Sequence, residues 1–387
     1  MSFYYRLPAA LLAATIAIVQ PEFAVAQLSA QQVEEIDRNE CNPSEAIDFN
    51  EAIRLNPNDA EAYNGRGDVR YDQGDIEGAI ADYNQAIRLN PSYVDAYNNR
   101  ANARYDQGDI QGAIADLNEA IRLEPNYADA YYKRAFLRYD RGDIQGAIAD
   151  YNEAIRLEPN DAAAYINRGV VRYDQGDIQG AIADYNEAIR LEPSNADAYN
   201  NRANARSDRG DIQGAIADYN EAIRLDPNHA NAYNNRGLLR DELGDKQGAL
   251  ADFNEAIRLE PNDAEAYYNR ANPRYGQGDI QGAIADYNEA IRLNPSYAKA
   301  YGERGYLRSQ QGDIQGAIAD YNEAIRLDPN HADAYYNRAL VRNEQRDIQG
   351  AINDLQKASE LYQQQGNADS YRDAQNAIKE LQKELEV

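Results

Sequence analysis

The sequence is poor in the residues that most often carry chemistry. Its 387 residues include no Trp, one Cys, one Met and two His. A single thiol, Cys41, cannot close an internal disulfide. It is either inert or, in an oxidising compartment, a point for a bridge between chains. His229 and His331 each follow a proline at equivalent points of a repeating pattern, which suggests shared ancestry and not a metal site. No Cys/His cluster, glycine-rich phosphate loop or nucleophile–base combination is present. The Asp-rich Tyr71–Asp75 turn lacks the glycine and distal Glu of a calcium loop. The expectation is therefore no catalytic residue, no metal and no cofactor. Positive charge is also scarce: 39 Lys and Arg stand against 65 Asp and Glu, a formal net charge of -26. Phosphate backbones and anionic lipids are bound through cations, so nucleic acid is excluded and a basic or polar partner is favoured.

Long apolar runs are missing except near the start. Arg6 gives a positive flank, Leu7 to Val19 a short apolar core, and Ala24-Val25-Ala26 a small-residue cleavage site. Residues 1–26 thus read as a secretory signal peptide, which implies export to a periplasm or other extracytoplasmic compartment. The apolar core is too short to cross a bilayer comfortably and is followed by Pro21 and Glu22. Cleavage after Ala26 would leave no stable membrane insertion; an uncleaved anchor is the alternative.

What the chain does have is a period. Pro57, Pro91, Pro125, Pro159, Pro193, Pro227, Pro261, Pro295 and Pro329 are spaced 34 residues apart. Each repeat is numbered here so that its proline falls at position 32. Position 4 is then always Tyr (Tyr63 to Tyr335), position 8 is Gly or Ala, and position 20 is always Ala (Ala79 to Ala351). Position 24 is Tyr or Phe except at Leu117 and Leu355. This pattern resembles the tetratricopeptide repeat, a helix-turn-helix unit. The resemblance implies an all-α, right-handed superhelical solenoid of antiparallel helix pairs. It covers nine repeats over 60–361, with a degenerate cap repeat at 27–59 and a capping helix at 362–387.

The residues support the same unit. Gly74 and its equivalents can take the left-handed conformation that ends a first helix, and Asp75 and its equivalents can cap the second. Ile76, Ala79, Ile80, Tyr83, Ala86 and Ile87 share one face of that second helix. No hairpin can bury such a face alone, so neighbours must stack. Arg at positions 7 and 11 (Arg66, Arg70) departs from the family pattern, which usually has Leu and Tyr there. With Asp82 at position 23 these arginines either form a repeated Arg–Asp ladder between helices or snorkel to solvent. Past Gly366, Ala374, Ile378, Leu381 and Leu385 form a stripe suited to a cap over the last repeat or to a coiled-coil contact. Pro273 and Gly276 predict a kink or fraying of the first helix of repeat seven between 269 and 276.

Positions 2, 6, 9 and 13 of the first helix share a face opposite the packing positions. The resemblance implies that this face lines a concave groove. Asn99, Asn167, Asn201, Asn235, Asn269 and Asn337 occupy position 6, interrupted by Gly65, Lys133 and Glu303. An amide can pair with both peptide N–H and C=O, so these residues are candidates for a ladder that holds an extended backbone. A well-hydrated inherited surface would look the same. Tyr105, Tyr139, Tyr173, Asp140 and Asp174 flank the groove. Lys133 and Lys299 are too few for the family's basic clamp on carboxylate-terminated tails. The function that follows is a protein- or peptide-binding scaffold, its rival a structural or self-assembling spacer.

Overall fold

The computed structural model describes residues 43–385. Twenty helices follow one another. Helix α1 (Pro43–Leu55) precedes nine pairs: α2 (Ala60–Asp72) with α3 (Ile76–Leu89), α4 (Val94–Asp106) with α5 (Ile110–Leu123), α6 (Ala128–Asp140) with α7 (Ile144–Leu157), α8 (Ala162–Asp174) with α9 (Ile178–Leu191), and α10 (Ala196–Asp208) with α11 (Ile212–Leu225). The remaining pairs are α12 (Ala230–Glu242) with α13 (Lys246–Leu259), α14 (Ala264–Gly276) with α15 (Ile280–Leu293), α16 (Ala298–Gln310) with α17 (Ile314–Leu327), and α18 (Ala332–Glu344) with α19 (Ile348–Gln364). Helix α20 (Ala368–Leu385) closes the series. The result is an all-α repeat solenoid. Contacts divide it into an N-terminal unit, 43–215, and a C-terminal unit, 216–385. Residues 1–26, expected to be a signal peptide, and Cys41 lie outside the described residues.

Local chemistry explains each pair. Gly74 ends α2 with φ at 80°, and the next residue, Asp75, accepts a hydrogen bond from Gly78 N–H at 3.0 Å to cap α3. Repeat nine has Arg346 at the glycine position, held at φ 64°, where a side chain is disfavoured. Ala79, Tyr83 and Ala86 are almost fully buried against the paired helix. The small residue at position 8 follows from this packing: a Cβ on Gly67 would lie 2.6 Å from the Tyr83 ring.

The arginines form the ladder. Asp82 is 3 % exposed. Its carboxylate accepts from Arg66 Nε at 2.8 Å, Arg66 Nη2 at 2.6 Å and Arg70 Nη1 at 2.7 Å. Arg66 also stacks over Tyr63 at 5.5 Å and donates to Asn50 of the preceding unit at 2.9 Å. The same bidentate pairing with position 7 recurs at Asp116, Asp150, Asp184, Asp252, Asp286, Asp320 and Asp354. One buried carboxylate thus joins two helices, and its arginine reaches the neighbouring repeat.

Helix α14 departs from expectation. It runs unbroken from Ala264 to Gly276 with Pro273 buried inside it. The proline stands near the C-terminal end and fills the core position held by Ala103 and Leu137 elsewhere, so packing holds the helix where one backbone bond is lost. A residual irregularity follows it: Arg274 Nη1 lies 2.9 Å from Asp286 Oδ1, whereas its equivalents approach Oδ2. At the C-terminus, Ala374, Ile378 and Leu381 bury against Leu355, Ala358, Leu361 and Tyr362. The stripe is a cap, and α19 runs to Gln364, three residues past the expected repeat boundary.

Candidate binding face of the first helices

Within each unit the first helices of successive repeats touch, α2 with α4, α6 with α8 and α8 with α10 in one, α12 with α14 and α16 with α18 in the other. Second helices of successive repeats make no comparable contact among the described residues. The first helices therefore line the inner side of each unit, and positions 2, 6, 9 and 13 lie along it.

The charge on this face follows from where the cations go. Arginines at positions 7 and 11 are committed to the buried aspartates. Those at position 29 pair with Glu three residues before on the outer helices, as in Arg122–Glu119 at 2.5 Å and Arg292–Glu289 at 2.6 Å, except Arg88, which donates to Gln85 at 3.0 Å. Lys133 is held by Asp129 at 2.8 Å and Lys246 by Asp241 at 2.8 Å. Asp72, Asp106, Asp140 and Asp174 at position 13 are exposed, and no ion pair forms on them among the described residues. Three carboxylates at position 13 accept from tyrosines one repeat back: Tyr71 donates to Asp106 at 2.5 Å, Tyr139 to Asp174, and Tyr173 to Asp208. Burial and the adjoining carboxylates push all three phenols upward. Tyr105 instead packs edge-on against Phe136, with ring centroids 5.8 Å apart.

The asparagines are less free than their spacing suggests. Asn99 Nδ2 donates to Asp68 at 2.8 Å, Asn167 Nδ2 to Tyr132 Oη at 2.6 Å, and Asn269 Nδ2 to Asn234 Oδ1 at 3.1 Å. Asn201 Oδ1 accepts from Asn200 at 3.3 Å, and its own buried Nδ2 has no protein partner. Asn235 is partly buried, while Asn269 and Asn337 are 6 % and 4 % exposed. Position 6 thus reaches back to the preceding repeat, most often to position 5. Position 5 itself was not legible as part of the face. Asn64, Asn98, Asn200 and Asn234 are buried there, and Asn98 donates to Tyr127 Oη at 3.1 Å and Asp129 at 2.9 Å. The signal was present: positions 1, 5, 8 and 12 follow the same four-three-four spacing. Where the ladder is interrupted, neighbours fill the space. A Cβ on Gly65 would meet the Phe49 ring at 2.4 Å.

A family model described as TPR repeat matches residues 67–108, 101–140, 137–176, 171–208, 203–244 and 305–345, and a second, tetratricopeptide repeat, matches 234–298. The chain belongs to the tetratricopeptide repeat family. Among solved structures this repeat protein is similar to a tetratricopeptide repeat protein from Parabacteroides merdae, at 23 % identity and TM-score 0.50 over 66 % of this chain and 98 % of that one. It is also similar to the Cut9–Hcn1 hetero-tetramer of APC/C, at 16 % identity and TM-score 0.54 over 87 % and 81 % of the two chains. A search of curated proteins returns no match. Among the described residues of the repeat protein, no group of three or more His, Cys, Asp or Glu is placed to hold a metal ion, and no helix is long and apolar enough to cross a membrane.

Proposed function

We propose that this protein is a non-catalytic scaffold that binds an extended basic or polar segment of another protein along its first helices, in an extracytoplasmic compartment. One observation carries the reading: nearly every cation is consumed by the frame or the outer helices, which leaves the first-helix carboxylates as the charge a partner meets. The amide donors at Asn99, Asn167 and Asn269 are used between repeats, so these side chains would offer mainly acceptor oxygens, suited to peptide N–H and cationic groups. Asn201, Asn235 and Asn337 belong to the same proposed ladder, and Tyr105, Tyr139, Tyr173, Asp140 and Asp174 to its flank. The signal-like residues 1–26 support export. A second reading, a structural spacer, is favoured by the repetition of IQGAIADYNEAIRL in α7, α9, α11, α15 and α17.

The test uses labelled extended peptides of equal length, basic, amide-rich and acidic, titrated against protein lacking residues 1–26. Anisotropy should show binding of the basic set that weakens as salt rises. No binding of any set, with light scattering that grows with protein concentration, would favour the spacer.

A further inference from the structure

One carboxyl on the inner face differs from the rest. Glu303, on α16, takes position 6, where six repeats carry Asn. Position 6 side chains lean on position 5 of the preceding repeat: Asn167 on Tyr132, Lys133 on Asn98, Asn269 on Asn234. By this register Glu303 lies against Tyr268, whose ring centroid is 4.9 Å from that of Tyr297 and 5.6 Å from that of Tyr287. Its charge is felt by Tyr268, Tyr287 and Tyr306. Asp333, on α18, is the acidic neighbour that acts on it. No donor or cation reaches the Glu303 carboxylate among the described residues. Lys299, one turn earlier on α16, is exposed and forms no ion pair among the described residues; its charge acts on Glu265 and His331. The ring of His331 occupies the room left by Gly302, with Nε2 3.0 Å from where a Cβ would stand.

A partly buried carboxyl with no partner adds nothing to the frame, since Asn serves at the same point in six other repeats. Tyrosine rings beside a carboxylate are, however, what a guanidinium or ammonium group requires: an ion pair and aromatic faces together. We propose that Glu303, with Tyr268 and Asp333, is an anchor for one cationic side chain, arginine or lysine, of the bound segment. This rests on the scaffold reading above and specifies one subsite of it. Burial and Asp333 push the free carboxyl up to about 8, so at neutral pH it is largely protonated. Pairing with a cation requires the ionised form, and the proton leaves to the buffer. Burial lowers the pKa of His331, so its titration falls below the window from pH 7 to 8.5.

The experiment uses two nonapeptides of Gly, Ser and Asn, one with a central arginine and one with citrulline there, beside the basic peptides already described. The protein should prefer the arginine peptide at least tenfold at pH 8, and that preference should shrink towards pH 7. Calorimetry in two buffers of different ionisation enthalpy should report proton release on binding. Glu303→Asn, a residue this position already tolerates, should abolish both the preference and the proton release, while Glu77→Gln, at an exposed position of the outer helix α3 where other repeats carry Gln, should leave them. If the basic peptides bind but Glu303→Asn keeps the tenfold preference, the anchor is wrong and the scaffold stands. If no peptide binds the unmodified protein, both readings fall.

Discussion

Asp68 in the N-terminal unit and Glu303 in the C-terminal unit are carboxyls on the corresponding face of the first helix of their repeats, yet their surroundings are opposite. Asp68 accepts from Asn64 at 3.1 Å, Tyr83 Oη at 2.8 Å and Asn99 at 2.8 Å, and it is pushed up to about 6 by burial, with Asp72 and Asp95 adding to the effect. Glu303 has no such donors and is pushed up to about 8. Neutral donors stabilise the charged form and offset part of the desolvation cost. The difference therefore lies in which side chains position 5 and its neighbours supply, not in the fold. A carboxyl already satisfied within the chain has less to gain from a ligand than one that is not.

The comparison assumes that the frame is equal in both units, and this is the assumption with the largest effect to break. Arg168→Ala in one unit and Arg304→Ala in the other each strip a buried aspartate of its bidentate partner. Each should cost about 3–5 kcal/mol, the usual penalty for breaking a buried pair from one side. Repeat arrays do not unfold in one step, so the check is amide exchange across the helices flanking Asp184 and Asp320. A loss of a few tenths of a kcal/mol at either site would mean the ladder does not carry the frame. Next in size is Pro273→Ala on α14, the helix that presents Tyr268. Restoring the backbone bond should slow exchange in that helix by an amount worth roughly 2 kcal/mol, below the full proline penalty because the ring is packed. The Glu303 midpoint should stay near 8. A fall towards the ordinary range would attribute its shift to a loosened helix and dissolve the comparison.

Glu303→Gln addresses the contrast directly. A folded pKa of about 8, above the ordinary 4.5, means the folded state holds the proton more tightly than the unfolded one. The contribution of Glu303 to stability is then complete below about pH 4.5 and is lost as pH rises through 8. The Gln variant, which cannot ionise, should match the parent at pH 4.5 and exceed it at pH 9 by roughly 1–2 kcal/mol, less than the full shift because the side chain is partly exposed. Thermal melts across that range provide the check. A constant difference at every pH would mean that Glu303 does not titrate as described.

Much of the frame was legible in the sequence because it depends on strict requirements: Gly at a positive φ, Asp at a cap, a small residue under a tyrosine ring. Arg66 and Asp82 could be placed near one another by helical spacing. Whether they met was decided by burial, which spacing leaves open. The face was legible in outline, since positions 2, 6, 9 and 13 do share it. Its hydrogen bonding was not, because the bonds between repeats join residues 29 to 35 apart, as in Asn98 to Tyr127, Asn99 to Asp68 and Asn167 to Tyr132. Such pairs depend on how one repeat is offset on the next. Pro273 stands inside a continuous helix for a related reason: helix propensity is local, and the packing that overrides it is not.

The smallest effect tests the donor side of the comparison. Asn99 provides one of the three donors on Asp68, across the boundary between the first and second repeats. Asn99→Ala should cost about 1 kcal/mol near pH 8, the usual net loss of one hydrogen bond, since two other donors remain on the carboxylate. The sign of its pH dependence follows from what remains. With one donor fewer, the ionised carboxylate is less favoured, so the Asp68 midpoint should rise above 6 towards that of Glu303. Below about pH 4 the carboxyl is protonated in both proteins, and the penalty should shrink because only a neutral hydrogen bond is then missing. Carbon-detected titration of the Asp68 carboxyl gives the midpoint, and melts at pH 4 and pH 8 give the two penalties. An upward midpoint would show that donors supplied by the neighbouring repeat set the affinity of this face for charge. A midpoint unmoved by Asn99→Ala would leave burial alone responsible, and Asp68 and Glu303 would then differ only in depth.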